Sequence, residues 1–339
     1  MKIIGLTSKG SGCGYHRVLI PLGFMEGITG YVTNMITEDK FEGWDVLLYN
    51  RISQYDNNWQ AIKDRMGVKV VLDLDDYWNL PVNHLNYEDY EVFGKRIENN
   101  IREADMVTVT NEALADQVRP FNDNVHIFPN ALPFGRNQFT EDRRESDRVR
   151  IFWAGGVTHE HDLKILRGPV NRLLALKDKI QMVIGGYNDS DEFSKLIWDR
   201  MFSSFTNGGQ LPYMKLHGTL PNNYMQMYEN ADIMLIPLEA SVWHSAKSNL
   251  KILEAACKRI PCIVSNVEPY NRDRDCPVLW VNSQADWFKH LNFLIHNKSA
   301  RDDMGNQLYE WAKENYSIEK INKGRIEAFE SLCGAPAYL

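Results

Sequence analysis

No stretch of the sequence reaches 18 consecutive apolar residues, roughly the length that a membrane-spanning helix needs. The first residues, MKIIGLTSKG, reach Gly, Ser and Lys after a few apolar positions, so we expect no signal peptide. The five cysteines are odd in number and scattered, and no two of them form a CxxC pair. This pattern excludes a disulfide-stapled miniprotein and predicts reduced thiols. We expect a cytoplasmic protein without a membrane span.

The chain also lacks an excess of basic residues. Lys and Arg total 38 and Asp and Glu total 45, which gives a formal net charge of −7. Proteins whose binding rests on neutralising nucleic-acid phosphates usually carry a basic excess, so the charge offers no support for such a partner without excluding one. Hydrophobic residues make up 44% of the 339 residues, enough for a substantial core. At roughly 150 residues per domain, the length predicts two domains.

Short apolar, β-branched runs recur along the chain, each followed by a turn and a helix-like stretch. This alternation predicts βα units around parallel sheets, whose buried strands are continuous apolar runs. The predicted strands form two sets, residues 2–6, 46–49, 68–72, 106–110 and 125–128, then residues 150–153, 180–184, 214–216, 233–236, 261–264 and 278–281. We therefore expect an α/β protein with two Rossmann-like doubly wound domains that face a cleft, with ligands at the carboxyl ends of the strands.

A polar stretch of mixed charge, residues 137–150, separates the two sets and is the predicted linker. Its arginines alternate with acids, so a solvated linker is favoured over a nucleic-acid contact. The predicted domains are residues 1–140 and 150–317. Helical periodicity continues from residue 300 to 332 around a break at residues 316–317, which predicts a last helix within residues 318–339.

The loop after the first strand is rich in glycine. Gly12 and Gly14 allow the backbone to approach a ligand, and the helix that follows offers free amides to an anion. The spacing GxGxG lacks the dinucleotide pattern GxGxxG, so the sequence does not indicate NAD. A ligand loop and a flexible turn both remain open. In the first case, His16 and Arg17 would face the cleft.

The segment VVLDLDDYW ends a buried strand in three carboxylates. Asp73, Asp75 and Asp76 resemble the DxD motif that holds a divalent metal and a nucleotide diphosphate in one class of glycosyltransferase. That class has a single domain, whereas this chain predicts two, so we predict no metal site and expect the acids to hydrogen-bond loop amides. His84 follows in a tyrosine-rich loop, where it is a candidate to contact a sugar. A structural role for this histidine stays open.

The second predicted domain opens with the strand and loop FWAGGVTHEHDL. Gly155 and Gly156 end the strand, where a nucleotide phosphate can pack on backbone amides. His159 and His161 are two residues apart, which places them on different helix faces and makes a metal pair improbable.

The segment HSAKSNLKILEAAC is the strongest candidate site. Lys247, Ser248 and Asn249 lie where a loop enters a helix, so a cation, a hydroxyl and an amide converge with the positive helix end, an arrangement that suits a diphosphate. Glu254 lies about one and a half turns further on, where a carboxylate can accept two hydrogen bonds from a ribose diol. A solvated amphipathic helix with a serine cap is the alternative.

Together these segments resemble the GT-B glycosyltransferases, in particular the retaining family 4 group of bacterial and phage type. The resemblance is carried by the Gly-rich first loop, the Pro129-Asn130 turn, FWAGGVTHEHDL, HGTLPNNYMQMYENADIMLIPL and KSNLKILEAACKRIPCIVS. It implies that residues 1–140 bind the acceptor, that residues 150–317 bind a nucleotide sugar, and that residues 318–339 form a helix crossing back to the first domain.

The resemblance also implies roles for individual residues. Glu254 would hold the nucleotide ribose, and the loop before it would meet the diphosphate. In the family a glutamate eight residues earlier lies near the donor sugar, but this chain has Ala246 there, which leaves His244, Glu239 or a backbone group as substitutes. The predicted catalytic residues are His84 and His244. The predicted donor-binding residues are Gly12, Gly14, Arg17, Gly155, Gly156, Lys247, Ser248, Asn249, Leu250, Lys251 and Glu254.

The function that this resemblance implies is transfer of a hexosyl or pentosyl group from a nucleotide sugar, with a UDP-sugar as the leading donor, to a glycan hydroxyl. We expect retention of configuration, no metal and no cofactor. Aromatic side chains of the first domain offer faces for sugar rings or bases: Tyr15, Tyr55, Trp59, Tyr77, Trp78 and Tyr87. Three alternatives stay open: a phage-type enzyme that glycosylates hydroxymethylated pyrimidines in DNA, an inactive nucleotide-sugar-binding protein, and a sugar-nucleotide epimerase using Asp75, Asp76 or Glu239.

Overall fold

The computed structural model describes residues 1–8, 10–33, 38–82 and 84–334. The chain forms two compact units. Unit 1 contains Met1–Pro133, the short segment Ser245–Ser248 and the C-terminal part from Tyr316 onward. Unit 2 contains Phe134–His244 and Asn249–Asn315. Both units are therefore discontinuous in sequence.

Unit 1 is built on a six-stranded parallel sheet in the order β2-β1-β3-β4-β5-β6. Its strands are β1 (Lys2–Leu6), β2 (Thr29–Thr33), β3 (Val46–Asn50), β4 (Lys69–Leu74), β5 (Met106–Val109) and β6 (Val125–Ile127). Its helices are α1 (Gly12–Gly14), a π-helical turn (Tyr15–Leu19), α2 (Ile20–Gly23), a 3-10 turn (Glu38–Phe41), α3 (Trp59–Met66), α4 (Tyr87–Glu103) and α5 (Glu112–Val118). A later helix, α13 (Ile318–Leu332), also belongs to this unit.

Both faces of the unit 1 sheet are covered. Alternate residues of β4 point to opposite faces, so Val70 and Leu72 pack in one apolar cluster and Val71 packs in another. Phe329 of α13 packs in the second cluster. Burial on both faces explains why the central strands are continuous apolar runs. The order of the sheet reverses at β1 and β3, and ligands of such sheets bind at the carboxyl ends of the strands at this switch point.

Unit 2 is built on a second six-stranded parallel sheet, in the order β12-β11-β10-β7-β8-β9. Its strands are β7 (Val149–Ala154), β8 (Ile180–Tyr187), β9 (Tyr213–His217), β10 (Ile233–Ile236), β11 (Cys262–Ser265) and β12 (Leu279–Val281). Its helices are α6 (Glu160–Lys164), α7 (Arg167–Arg172), α8 (Glu192–Thr206), α9 (Val242–Ser245), α10 (Leu250–Cys257), α11 (Gln284–His296) and α12 (Lys298–Tyr316). Four 3-10 turns complete it: Val157–His159, Leu173–Leu176, Tyr224–Asn230 and Tyr270–Arg272.

Counted from β7, the order of this second sheet is 3-2-1-4-5-6, the arrangement of dinucleotide-binding folds. Its switch point lies between β7 and β10. The core contains Trp153 and Trp198, whose rings meet edge to face at 6.3 Å between centroids. The loops after β7 and β10 are therefore the place at which this sheet is built to bind a ligand.

The predicted linker is packed against unit 2. Gln138 donates to the carbonyl of Pro221 at 2.7 Å, and Arg143 pairs with Asp232 at 2.8 Å. Arg150 pairs with the same aspartate at 2.9 Å. Arg143 and Arg150 thus fasten this stretch to unit 2, whereas Glu141, Asp142 and residues 144–147 are exposed, as expected of a solvated linker. None of the described helices combines the length and apolar character needed to cross a membrane.

Candidate functional site

The glycine-rich loop of unit 1 follows β1 at the switch point of its sheet. Gly14 is buried, and a Cβ placed on it would lie 1.6 Å from Oγ1 of Thr7, so this glycine permits close packing of the loop. Gly12 is exposed, and the space above its Cα is open. Of the two, Gly12 is the one that offers its backbone to a ligand.

Arg17 does not face a ligand surface, contrary to our expectation. Its side chain is buried, and its guanidinium forms two hydrogen bonds of 2.8 Å to Asp73. It also donates to the carbonyl of Phe128 at 2.8 Å and to Asn130 at 3.1 Å. These contacts give Arg17 a structural role in unit 1. The neighbouring His16 is buried too, and burial lowers its pKa to about 4.

The three carboxylates at the end of β4 and just after it are neutralised by cations. Asp73 pairs with Arg17, and Arg51 bonds Asp75 at 2.8 Å and Asp76 at 2.9 Å. Burial acts to raise the pKa of Asp75, but Arg51 outweighs this effect and holds that pKa well below its usual range. Among the described residues, no group of three or more His, Cys, Asp or Glu side chains is placed to hold a metal ion.

His84 lies in the turn before α4. Its backbone amide donates to the carbonyl of Pro81 at 2.8 Å, and its Nδ1 accepts from the amide of Asn86 at 3.1 Å. The ring is half-buried. These contacts fix the turn, and a catalytic role for His84 stays a prediction.

The segment Ser245–Ser248 is held in unit 1 by polar contacts. The carboxamide of Asn111 donates to the carbonyls of Ala246 at 3.1 Å and Lys247 at 2.7 Å. Asn130 donates to the hydroxyl of Ser248 at 2.8 Å, and the Lys247 ammonium lies 3.6 Å from Asp76. Two of the predicted diphosphate ligands, Lys247 and Ser248, therefore have partners within unit 1.

Ala246 stands where the family that the sequence resembles has a glutamate. Its side chain is 1% exposed and packs in the apolar cluster of unit 1 that includes Leu72 and Val109. A carboxylate there would be buried among apolar side chains, which is costly without a partner. Position 246 therefore favours a small apolar side chain.

Gly155 and Gly156 follow β7 at the switch point of unit 2. A Cβ on Gly155 would lie 2.8 Å from the ring of Trp153, so only glycine fits beside this buried tryptophan. Gly156 is exposed with open space above its Cα. The pair repeats the arrangement of Gly14 and Gly12 in unit 1, with one glycine required by packing and one open to a ligand.

Glu254 lies on α10 and is 6% exposed. Its Oε1 accepts a hydrogen bond from the Tyr224 hydroxyl at 2.6 Å, and its Oε2 accepts one from the Tyr228 hydroxyl. Burial raises the pKa of Glu254, although the two tyrosines and Lys251 oppose this effect. Each carboxylate oxygen can accept a second hydrogen bond besides the one from its tyrosine.

Tyr224 and Tyr228 are not among the site residues predicted from the sequence. They lie four residues apart on the 3-10 turn Tyr224–Asn230, inside a segment that the resemblance had already singled out. The sequence feature that could have indicated them is a pair of tyrosines four residues apart, just before a buried strand.

The start of α10 is anchored within unit 2. Asn249 stands at the N-cap position and donates to Asp273 at 3.1 Å. Leu250 is the first helical residue, and the Lys251 ammonium lies 5.6 Å from the centre of the Trp153 ring. Lys251 thereby approaches the β7 strand that leads to Gly155 and Gly156.

A buried carboxylate, Asp162, connects several loops of unit 2. Its Oδ2 lies 2.8 Å from Nδ1 of His159, and its Oδ1 accepts from the Glu239 amide at 2.9 Å. The Nε2 of His244 lies 4.0 Å from the same Oδ1. Burial acts to raise the pKa of Asp162, but the hydrogen bond to His159 leaves it below its usual value. The predicted catalytic residue His244 thus faces an ionised carboxylate, and its catalytic role stays a prediction.

No protein-family model matches the sequence, and none of the curated proteins matches it. Solved structures are similar over the whole chain. HepE of Anabaena in complex with UDP-glucose matches with a TM-score of 0.67 at 10% identity, over 98% of this chain and 100% of that one. Sucrose-phosphate synthase of Thermosynechococcus elongatus matches with a TM-score of 0.68 at 12% identity, over 99% and 100%.

A third similar structure is a UDP-forming α,α-trehalose-phosphate synthase of Burkholderia xenovorans. It matches with a TM-score of 0.64 at 10% identity, over 98% of this chain and 99% of that one. These similarities, together with the two parallel sheets, confirm the predicted GT-B fold. At such low identity they establish the fold alone, and the chemistry must be argued from the residues.

Proposed function

We propose that this chain is a glycosyltransferase that moves a sugar from a UDP-sugar to a hydroxyl of a glycan. The observation that carries the proposal is the buried carboxylate of Glu254, which lies on α10 in a fold shared over its full length with proteins solved with UDP-glucose or described as UDP-forming. A carboxylate at this place suits the two hydroxyls of a ribose. The two tyrosines keep its oxygens oriented.

Unit 2 supplies groups that suit the rest of the donor. The open backbone at Gly156 can approach a phosphate, and Lys251 together with the amides at the start of α10 provides positive charge. Departure of the sugar leaves charge on the diphosphate while an oxocarbenium-like centre develops. Fixed cations and helix dipoles stabilise that charge most strongly in the transition state, which is how they accelerate the reaction.

Metal independence and retention of configuration are part of the proposal. The carboxylates most similar to a metal-binding motif, Asp75 and Asp76, are already neutralised by Arg51. Lys251 and the start of α10 can take the place of a metal at the diphosphate. Retention is implied by the resemblance. The anomeric configuration of the product, read by proton NMR, tests it, and activity in the presence of EDTA tests metal independence.

The alternatives have weaker support. Two of the cations that could attract DNA, Arg51 and Arg96, pair with carboxylates, the latter with Asp56 at 2.8 Å. Lys9 lies outside the described residues. An epimerase needs a carboxylate that accepts a proton near neutral pH, and a pKa far below the usual range makes Asp75 a weak base.

The test is titration of the wild-type protein with UDP-glucose, ADP-glucose and GDP-glucose, repeated on Glu254→Gln. We expect one nucleotide sugar to bind and its affinity to fall about 10-fold to 100-fold in the variant, because hydrogen bonds to a charged acceptor contribute roughly 1.5–3 kcal/mol. Glu192→Gln, an exposed glutamate on α8, is the matched control and should bind like wild type. Transfer to a panel of glycans then identifies the acceptor.

Two results would contradict the proposal. Wild-type protein that binds none of the nucleotide sugars has no donor pocket. Equal affinity in wild type and Glu254→Gln would remove Glu254 as the ribose ligand. Binding without hydrolysis or transfer would favour the inactive nucleotide-sugar-binding protein.

A further inference from the structure

A cavity of about 580 Å³ opens on unit 1 beside α4. Its walls come from α4 and from the loops that follow β3 and β4, so it lies at the carboxyl edge of the unit 1 sheet. The volume falls within the roughly 300–1,000 Å³ that is usual for small-molecule sites. None of the predicted catalytic or donor-binding residues lines it, so its role is separate from the site in unit 2.

Aromatic rings form one part of the lining. Tyr87 and Tyr90 are partly exposed, and the buried Trp78 also lines the cavity. The Tyr90 hydroxyl accepts from Arg51 at 3.2 Å, and Arg51 is itself fixed by Asp75. The tyrosine ring is therefore held in place before any ligand arrives. The electron-rich face of such a ring packs against the C–H groups of a sugar ring.

Carboxamides form the second part of the lining. Asn57, Asn79 and Asn99 all contribute, and the Nδ2 of Asn99 donates to the Oδ1 of Asn57 at 3.3 Å. A carboxamide has both a donor and an acceptor, which matches the neighbouring hydroxyls of a sugar. Glu91 adds an acceptor on the exposed face of α4. Planar polar groups beside fixed aromatic rings favour a carbohydrate over an apolar ligand.

The charges of the lining nearly cancel. Glu91 and Lys95 form no ion pair with any residue that the structure describes, and Arg96 is paired with Asp56. A site for nucleic acid would need several unpaired cations to neutralise phosphates. An uncharged ligand with hydroxyl groups fits this balance.

We infer that this cavity binds an uncharged oligosaccharide and anchors the acceptor on unit 1. The inference rests on the proposed glycosyltransferase function and adds to it the cavity and the side chains that would hold the acceptor. The anchored sugar need not be the one that reacts, so the cavity sets acceptor affinity rather than the rate of the chemical step.

The test is calorimetric titration of the full chain with maltotriose, cellotriose and chitotriose in the absence of a donor. We expect at least one of them to bind, and its affinity to fall about tenfold in Tyr87→Ala and in Glu91→Ala. Glu88→Ala is the matched control, because Glu88 is an exposed glutamate of the same helix outside the cavity. UDP-glucose affinity, measured on every variant, should stay unchanged, and in transfer assays only the KM for the acceptor should rise.

The outcomes separate this inference from the proposed function. If UDP-glucose binds and no trisaccharide does, the cavity is not a saccharide site, while the transferase proposal stands. Trisaccharide affinity equal in wild type, Tyr87→Ala and Glu91→Ala would also overturn the inference. Binding of a short DNA duplex that is lost in both variants would replace it with a nucleic-acid site. Trisaccharide binding that depends on the cavity, without any donor binding, would support a saccharide site there and contradict both the transferase and the role of that saccharide as its acceptor.

Discussion

The guanidinium of Arg17 and the carboxylate of Asp73 meet through two hydrogen bonds of 2.8 Å in the interior of unit 1. The pair joins the helical segment after β1 to the end of β4. The hydroxyl of Thr108 donates to the same carboxylate at 2.6 Å. A pair with this geometry positions the loops at the switch point of the sheet.

We predict that Arg17→Met lowers the free energy of unfolding by about 3–5 kcal/mol, because it leaves Asp73 as a buried charge without its partner. Denaturant unfolding measures this loss. The double variant Arg17→Met with Asp73→Asn should recover part of it. If Arg17→Met bound UDP-glucose more weakly but kept its stability, Arg17 would be a donor-binding residue rather than a structural one.

Stability should depend on the protonation of His16. Its pKa is about 4 in the folded chain and about 6.5 when unfolded, so between these values the unfolded state binds more protons and stability falls as the pH is lowered. Between pH 7 and pH 5, protonation of His16 in the unfolded state should lower the free energy of unfolding by about 2 kcal/mol. Unfolding of His16→Asn should show a pH dependence that is shallower by this amount. An unchanged slope would mean that the pKa of His16 is the same in the folded and unfolded states.

The two glycines after β7 should respond differently to a methyl group. Gly155→Ala places a Cβ against the buried ring of Trp153 and should cost about 1–3 kcal/mol of stability. Gly156→Ala meets open space and should leave stability unchanged to within about 0.5 kcal/mol, while weakening UDP-glucose binding if the phosphate lies on this backbone. Denaturation and calorimetry on both variants separate the two effects. If Gly156→Ala bound UDP-glucose as tightly as wild type, Gly156 would not be part of the donor pocket.

Restoring the family's glutamate should not restore a catalytic group. Ala246→Glu puts a carboxylate into an apolar cluster and should destabilise the protein by at least about 3 kcal/mol. Ala246→Gly, which removes only a methyl group, should cost about 1 kcal/mol. Denaturant unfolding and transfer assays test both. A stable Ala246→Glu with faster turnover would show that the segment can leave its place in unit 1.

Much of the fold could be predicted from the sequence. Each of the eleven apolar runs contains or overlaps a strand. Strands that are buried on both faces consist of consecutive apolar residues, so they can be recognised in the sequence. The strand β2 was missed. Its sequence, TGYVT, is short, contains a glycine and lies at the edge of the sheet, so it has no apolar run. The helix break before Ile318 was predicted and is confirmed.

The candidate site was less predictable, because side-chain partners come from distant parts of the chain. Arg17 was predicted to bind the donor because it follows a glycine-rich loop. In the structure its guanidinium instead donates to Asp73, which is 56 residues further along the chain. The pairing of Lys247 with Asp76 likewise depends on the fold. By contrast, the position of Gly155 at the end of β7 follows from the local strand and turn pattern alone.

The discontinuity of unit 1 has a consequence for synthesis. Residues 1–133 are translated before positions 246 and 329, yet the apolar clusters they form are completed by Ala246 and by Phe329. Until then the nascent chain exposes the surfaces that these side chains will cover. Unit 1 is therefore complete only after Phe329 has been translated, and a fragment that ends at Pro133 should need chaperones or aggregate.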